Sequence, residues 1–353
     1  MMGFGAMSMR RCRLMTGARP ERFRRAGLAA LEICAVAALY YGSATLGLIQ
    51  QLVGGQVTPL WPPTGIALAS LLLCGLRVWP GIALAAFLVN VPLGPSIPAV
   101  LAIVAGNTLA PVCSYLLLRR TGFRTELDRL QDAMGLIFLG ALTGMLISAT
   151  VGSGTLALAG ALSAEDFWPT WSVWWTGDAM GVLVVTPVLL VLRFARWPKG
   201  ARPARWAEGL LLVAATVCVG FLGTSSTPLI FLGFPLLIWA AFRFQLAGAA
   251  PCALSVSTFA IVAAARGSGP FAGHDLLTNM ITLQAFNGSS SLTALLVAAT
   301  VSQRNQTQKE IARACGLLAE MVAKATAGGG HHPRLPDRGD GTEPDGGRTG
   351  RPT

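Results

Sequence analysis

Apolar residues run through this chain in blocks that have no polar face. The stretch Leu60–Asn90, LWPPTGIALASLLLCGLRVWPGIALAAFLVN, holds two such blocks, Gly65–Leu76 and Gly81–Val91. Each follows a Trp-Pro, and the single charge Arg77 separates them. A helix on a soluble core would turn polar residues outward at regular intervals. Neither block does, so each is expected in lipid or inside a bundle, with Trp and Arg marking the headgroup level. The stretch reads as a helical hairpin whose turn, Leu76–Gly81, lies at the cytoplasmic face.

A span needs about 20 apolar residues. Applied along the chain, that requirement gives candidates at 26–48, 59–77, 79–94, 97–118, 134–160, 171–192, 207–224, 228–242, 246–265 and 276–302. The second, third and eighth are short. A helix over Pro63–Leu76 covers about 21 Å at 1.5 Å per residue, against about 30 Å of hydrocarbon. Residues ahead of proline are pushed out of helical geometry, so an extended Pro59–Pro62 would supply the rest. It would do so as non-helical backbone against protein or a wet cavity, or as an interfacial lead-in to a helix with proline in its first turn. The expected class is all-α, a polytopic integral membrane bundle. It has ten spans, or eight if the second and third or the eighth and ninth are re-entrant hairpins.

Charge supports the pairing of spans. Only 12% of the 353 residues are charged and 53% are hydrophobic, where soluble proteins average about 25% charged. The balance of 27 bases against 16 acids would suggest nucleic acid in a soluble protein. Here no folded soluble segment remains to bind it. With the N-terminus inside, every base except Arg266 falls in a cytoplasmic segment, as the positive-inside rule requires. Both termini are then cytoplasmic for either count. The outer loops, Gln50–Thr58, Pro92–Pro98, Ala161–Thr170, Thr224–Thr227 and Arg266–Asp275, are too small for a receptor domain, so an outside ligand must bind among the helices.

The organisation that follows is a basic cytoplasmic segment at 1–25, a membrane domain at 26–302, a cytoplasmic linker helix at 303–325 and a disordered tail at 326–353. The first apolar run lacks a small-residue cleavage site and is expected to be an uncleaved span. The linker helix shows one apolar stripe, Ile311, Cys315, Leu318 and Val322. The tail, rich in Gly, Pro and charge, cannot bury enough surface to offset its ordering entropy.

Acids inside spans are costly and therefore informative. Asp178 lies in WPTWSVWWTGDAMGVLVVTP (168–187), seven residues past Trp171 and so about 10 Å inside the outer boundary. Trp174 and Trp175 precede it by four and three residues on the same face. An acid beside indole faces can hold a cation or a protonated amine. Alternatively it hydrogen-bonds a neighbouring helix, capping backbone freed at Pro62-Pro63. Thr64, at the start of that helix, presents N–H groups and the positive helix end to the same region. Asp178, Trp174, Trp175 and Thr64 form the candidate ligand site. Glu32 either snorkels or pairs with a neighbour, and Asn90 and Asn107 read as helix–helix hydrogen bonders.

No catalytic constellation is present: there is no G-x-x-x-x-G-K-[ST], H-E-x-x-H or G-x-S-x-G. The seven scattered cysteines form no C-x-x-C pair, and His331-His332 lies in the tail without a third ligand. No metal and no cofactor are expected.

Two motifs together, WPPTGIALASLLLCGLRVWPGIALAAFLVN and then WWTGDAMGVLVVTPVLL (174–190), resemble in this order the membrane-associated sensor domain, first MASE class, of bacterial signalling proteins. The likeness covers about residues 26–302. The matching positions are Trp61, Pro62, Pro63, Gly65, Trp79, Pro80, Gly81, Asn90, Trp175, Gly177, Asp178, Gly181, Thr186 and Pro187. The resemblance implies a multi-helix sensor joined in its relatives to a histidine kinase, a diguanylate cyclase or a similar output module. It carries over no ligand. After residue 302 the sequence shows no phosphoacceptor-His helix, no ATP-binding domain and no G-G-D-E-F. The expectation is therefore a multi-pass sensor of the cytoplasmic membrane without enzymatic activity. It would signal through a separate kinase, cyclase or other protein, with a homodimer possible. The alternative is a transporter-like carrier, suggested by the proline-broken helix, the short spans and Asp178.

Overall fold

The computed structural model describes residues 5–49, 59–194, 203–224 and 229–328. Among these every regular element is helical. In chain order the helices are α1 (Gly5–Ile49), α2 (Pro62–Cys74), α3 (Trp79–Asn90), α4 (Ile97–Arg120), α5 (Leu130–Leu158), α6 (Phe167–Arg193), α7 (Pro203–Gly223), α8 (Gly233–Phe244), α9 (Leu246–Ala265) and α10 (Leu276–Gly328). Each of the ten expected segments coincides with one of them. The His331-His332 pair and all but the first three residues of the expected tail lie outside the described residues, as do Gln50–Thr58 and most of Thr224–Thr227.

Six of these helices are long and apolar enough to cross a membrane: Ala26–Leu48 within α1, α4, α5, α6, α7, and α9 with its extension to Phe271. Pro62–Cys74, Leu76–Asn90 and Leu229–Phe244 are shorter apolar helices, the same three segments whose apolar runs are short. The first half of α10 is too polar to join the six, because it carries Gln284, Asn287, Ser290 and Ser291 among its leucines and alanines. Large apolar side chains stand outward from the bundle, including Leu39 and Leu46 on α1, Leu101 and Leu109 on α4, and Leu210, Val213 and Phe221 on α7. In water such a surface would be an aggregation hazard; in a bilayer it is the solvated face. This is a multi-pass membrane protein.

The most enclosed span is α6, with 61% of its apolar window buried against 11% for α1 and 17% for α7. It packs on α2, α5 and α9, and α2 in turn packs on α1 and α4. Two local features explain how the short helices fit. Gly75 takes φ +82° at the end of α2, a conformation that a side chain would strain. A 3-10 turn, Leu76–Val78, then leads straight into α3. At the other end of α2 the chain is non-helical, with Trp61 at φ −110° and ψ 86°, as the two prolines demand.

Helices α5 and α6 each contain a π-helical stretch, Leu136–Thr143 and Gly181–Val185. The second has a local cause. Pro187 lacks an N–H and its ring would meet the carbonyl one turn back, and the wider turn ahead of it relieves that clash.

The described residues up to Arg304 form one compact unit, and those from Asn305 onward form a second. In the second, the described part of α10 exposes Ile311, Leu318 and Val322. Lys324 pairs with Glu320 at 2.8 Å, one turn apart.

Candidate functional site

The two sequence motifs prove to be opposite sides of one helix contact. Gly65 on α2 faces Gly181 on α6 so closely that a Cβ at 65 would lie 2.1 Å from the Gly181 carbonyl oxygen. One at 181 would lie 2.0 Å from that of Trp61. Only glycine permits this approach, and the approach brings polar groups into register. The Trp61 N–H donates to the Gly177 carbonyl at 3.0 Å. The Thr186 hydroxyl donates to the Gly65 carbonyl at 3.0 Å. The backbone broken by Pro62-Pro63 is thus satisfied by protein, which is the condition for non-helical chain at membrane depth.

Asp178 sits at the centre, 2% exposed. The Thr64 hydroxyl donates to its Oδ1 at 2.6 Å. The Ser148 hydroxyl, from α5, donates to its Oδ2 at 2.5 Å. The Trp174 side chain lies beside the same carboxylate. One carboxylate therefore ties α2, α5 and α6 together. The two hydroxyl donors compensate the cost of burying it, since bonds to a charged acceptor are worth about 1.5–3 kcal/mol each. Tyr40 on α1, 1% exposed, stands beside the Trp61 side chain, so α1 joins the same junction.

Of the expected site residues, Asp178, Thr64 and Trp174 come together. The Trp174 ring covers Gly152, where a Cβ would be 2.4 Å away. Trp175 turns elsewhere. Its indole N–H donates at 2.8 Å to the Leu142 carbonyl, in the π-helical stretch of α5, and its ring stacks on Trp171 at 5.7 Å. Trp79, Pro80 and Gly81 lie at the other end of the hairpin, where Gly81 abuts the Ile33 carbonyl. Asn90 donates to the Ala86 carbonyl of its own helix at 2.8 Å. Glu32 pairs with Arg77 at 2.8 Å.

Ser148 and Tyr40 were not legible as site residues. Ser148 lies in a small-residue run, GMLISATVGSG, whose only signal was a hydroxyl within a span. Among the described residues no group of three or more His, Cys, Asp or Glu is placed to hold a metal ion.

Residues 31–305 match the family model described as MASE1. The chain belongs to the MASE1 family. No curated protein and no solved structure matches it. MASE1 is a membrane-associated sensor domain family and not a catalytic one. The match covers the Asp178 junction and the membrane helices and ends within α10, one residue past the boundary of the compact unit at Arg304. In this MASE1 chain, the proline-broken start of α2 and the W-x-G-D-A-x-G segment of α6 are one structural device, in which paired glycines allow contact and paired polar groups hold it.

Proposed function

We propose that this MASE1 chain senses a ligand bound among its helices and relays the event through α10 to a separate cytoplasmic protein, a histidine kinase, a cyclase or another signalling partner. Both termini lie on the cytoplasmic side in this reading, which places the bases there. Several bonds between distant segments fit that arrangement. Glu32 with Arg77, Glu208 with Arg243, and the Leu130 N–H with the Gln303 side chain each join segments assigned to the inner side.

The observation that carries the proposal is the three-helix tie at Asp178. A single buried carboxylate of α6 held by donors from α2 and α5 is a contact that forms or breaks as a unit. A ligand that binds the two arrangements with different affinity would shift their populations. The junction works here as a positioning centre and Asp178 as its common acceptor.

The test is Asp178→Asn in the native membrane, read by co-purified partner and by partner output, either phosphoryl transfer or cyclic dinucleotide. Insertion and abundance are expected to stay at wild-type level, because Asn preserves shape and one acceptor. The output is expected to change by several-fold. A wild-type response in the mutant would remove the junction from the signalling path. The carrier reading drew on the broken start of α2, but the Trp61 N–H there is spent on Gly177. Solute uptake by the purified chain in liposomes would restore that reading.

A further inference from the structure

We propose that the buried face of α10 built from Gln284, Asn287, Ser290 and Ser291 binds an uncharged polar solute, of carboxamide or polyol type. Positions 284, 287 and 291 recur at helical spacing on one face, and Ser290 adjoins them. Asn287 and Ser290 are fully buried and Ser291 is 1% exposed. Both polar atoms of the Gln284 amide, both of the Asn287 amide and both serine hydroxyls lack a hydrogen-bond partner among the described residues.

Hydroxyls on helices in this chain ordinarily spend their proton on the carbonyl one turn back. Ser114, Ser255 and Thr300 do so, and so does the exposed Ser289 beside the cluster, at 2.6 Å from the Ala285 carbonyl. Ser290 and Ser291 do not. Each buried polar group without a partner costs about 1–3 kcal/mol, and polar residues retained inside a membrane domain at such cost mark function.

The chemistry of the face selects its ligand. Two amides and two hydroxyls offer donors and acceptors together. From Leu276 to Ser302 the helix carries no charged residue, so it supplies no counter-charge for an ion taken out of water. A neutral solute bearing both donors and acceptors fits. The location suits a sensor: Gly288, within the cluster, has the Met180 methyl 3.8 Å from where its Cβ would stand, two residues from Asp178. Phe286 anchors the same turn against Phe231 and Phe234, with ring centroids 5.8 and 5.7 Å apart. The use of this site for signalling rests on the sensor reading, but binding to it does not.

Saturation-transfer NMR of the full chain in nanodiscs tests the site, with acetamide and glycerol as the smallest amide and polyol probes and acetate as the charged control. Saturable transfer to acetamide or glycerol is expected in the wild type and in Ser289→Ala. It is expected to vanish in Asn287→Leu and in Ser291→Ala, two independent variants of which the second leaves helix packing nearly untouched. Transfer to acetate is expected to be absent. The assignment falls if neither neutral probe gives saturable transfer, if both cluster variants retain it, or if acetate binds as well as acetamide. Output is not read in this assay. A silent Asp178→Asn result with intact probe binding would therefore sink the relay and keep the site, and the reverse pattern would do the opposite.

Discussion

Replacing Gly181 by alanine adds a single methyl group where α2 and α6 approach most closely. The added methyl would stand 2.0 Å from the Trp61 carbonyl oxygen, where real Cβ contacts essentially never fall below 3.0 Å, so α2 and α6 must part by about 1 Å. Three bonds cross that interface: Trp61 N–H to Gly177 at 3.0 Å, Thr186 to Gly65 at 3.0 Å and Thr64 to Asp178 at 2.6 Å. An extra ångström takes each to or beyond about 3.5 Å, where a hydrogen bond is no longer made. Two neutral bonds at about 1 kcal/mol each and one to a carboxylate at about 1.5–3 kcal/mol sum to about 3–5 kcal/mol. For a chain of this size that is a fall in melting temperature of about 4–7 °C. The assay is thermal unfolding of the full chain in nanodiscs, followed by tryptophan fluorescence. Gly154→Ala is the control, because nothing lies within 4 Å of its Cβ position. It should leave stability unchanged or raise it by about 0.5–1 kcal/mol through reduced backbone entropy. A wild-type melting curve for Gly181→Ala, or an equal loss in Gly154→Ala, would refute the close-contact argument.

Thr64→Val and Ser148→Ala should each destabilise by about 1–2 kcal/mol. Because both hydroxyls serve one carboxylate, the double variant should depart from additivity by more than about 0.5 kcal/mol, and simple additivity would show that Asp178 does not link them. Glu32→Gln should change stability by less than about 1 kcal/mol, since the Glu32–Arg77 pair is substantially solvent-accessible; a large loss would mean that this pair locks the hairpin. At the start of α10, Asp275 caps the helix by accepting from the Thr278 hydroxyl and N–H. Those bonds hold its carboxyl below the usual aspartate range. Its folded pKa is depressed, so the cap is complete above the ordinary carboxylate pKa and is lost as pH falls through the lower folded value. Amide-exchange protection at Thr278 should drop over that acid window in the wild type and be low throughout in Asp275→Ala. A flat wild-type profile would contradict the cap.

Much of the architecture follows from composition and order alone. A lipid environment leaves the backbone few options, so long apolar runs become helices wherever they stand. The ten runs read from the sequence became α1 to α10. Of the three short ones, α2 and α3 carry proline in their first turn and α2 stops at Gly75, whereas α8 ends at Gln245, which takes φ +55°. Family membership was also legible, because Trp61-Pro62-Pro63 and Gly177-Asp178 are rare residue types for a span. Tertiary structure alone decided what those residues do. Spacing placed Trp174 and Trp175 on one face with Asp178, yet Trp174 lies beside the acid while Trp175 reaches across to Leu142, because a π-helical stretch in α5 offers its carbonyl there. No local pattern marked Ser148, thirty residues upstream, as a donor to Asp178. That pairing depends on how closely α5 and α6 approach, which two helix surfaces set jointly. The unpartnered face of α10 has the same origin: Asn287 and its neighbours look like ordinary polar breaks in a span until the bundle shows which side of the helix is closed to water.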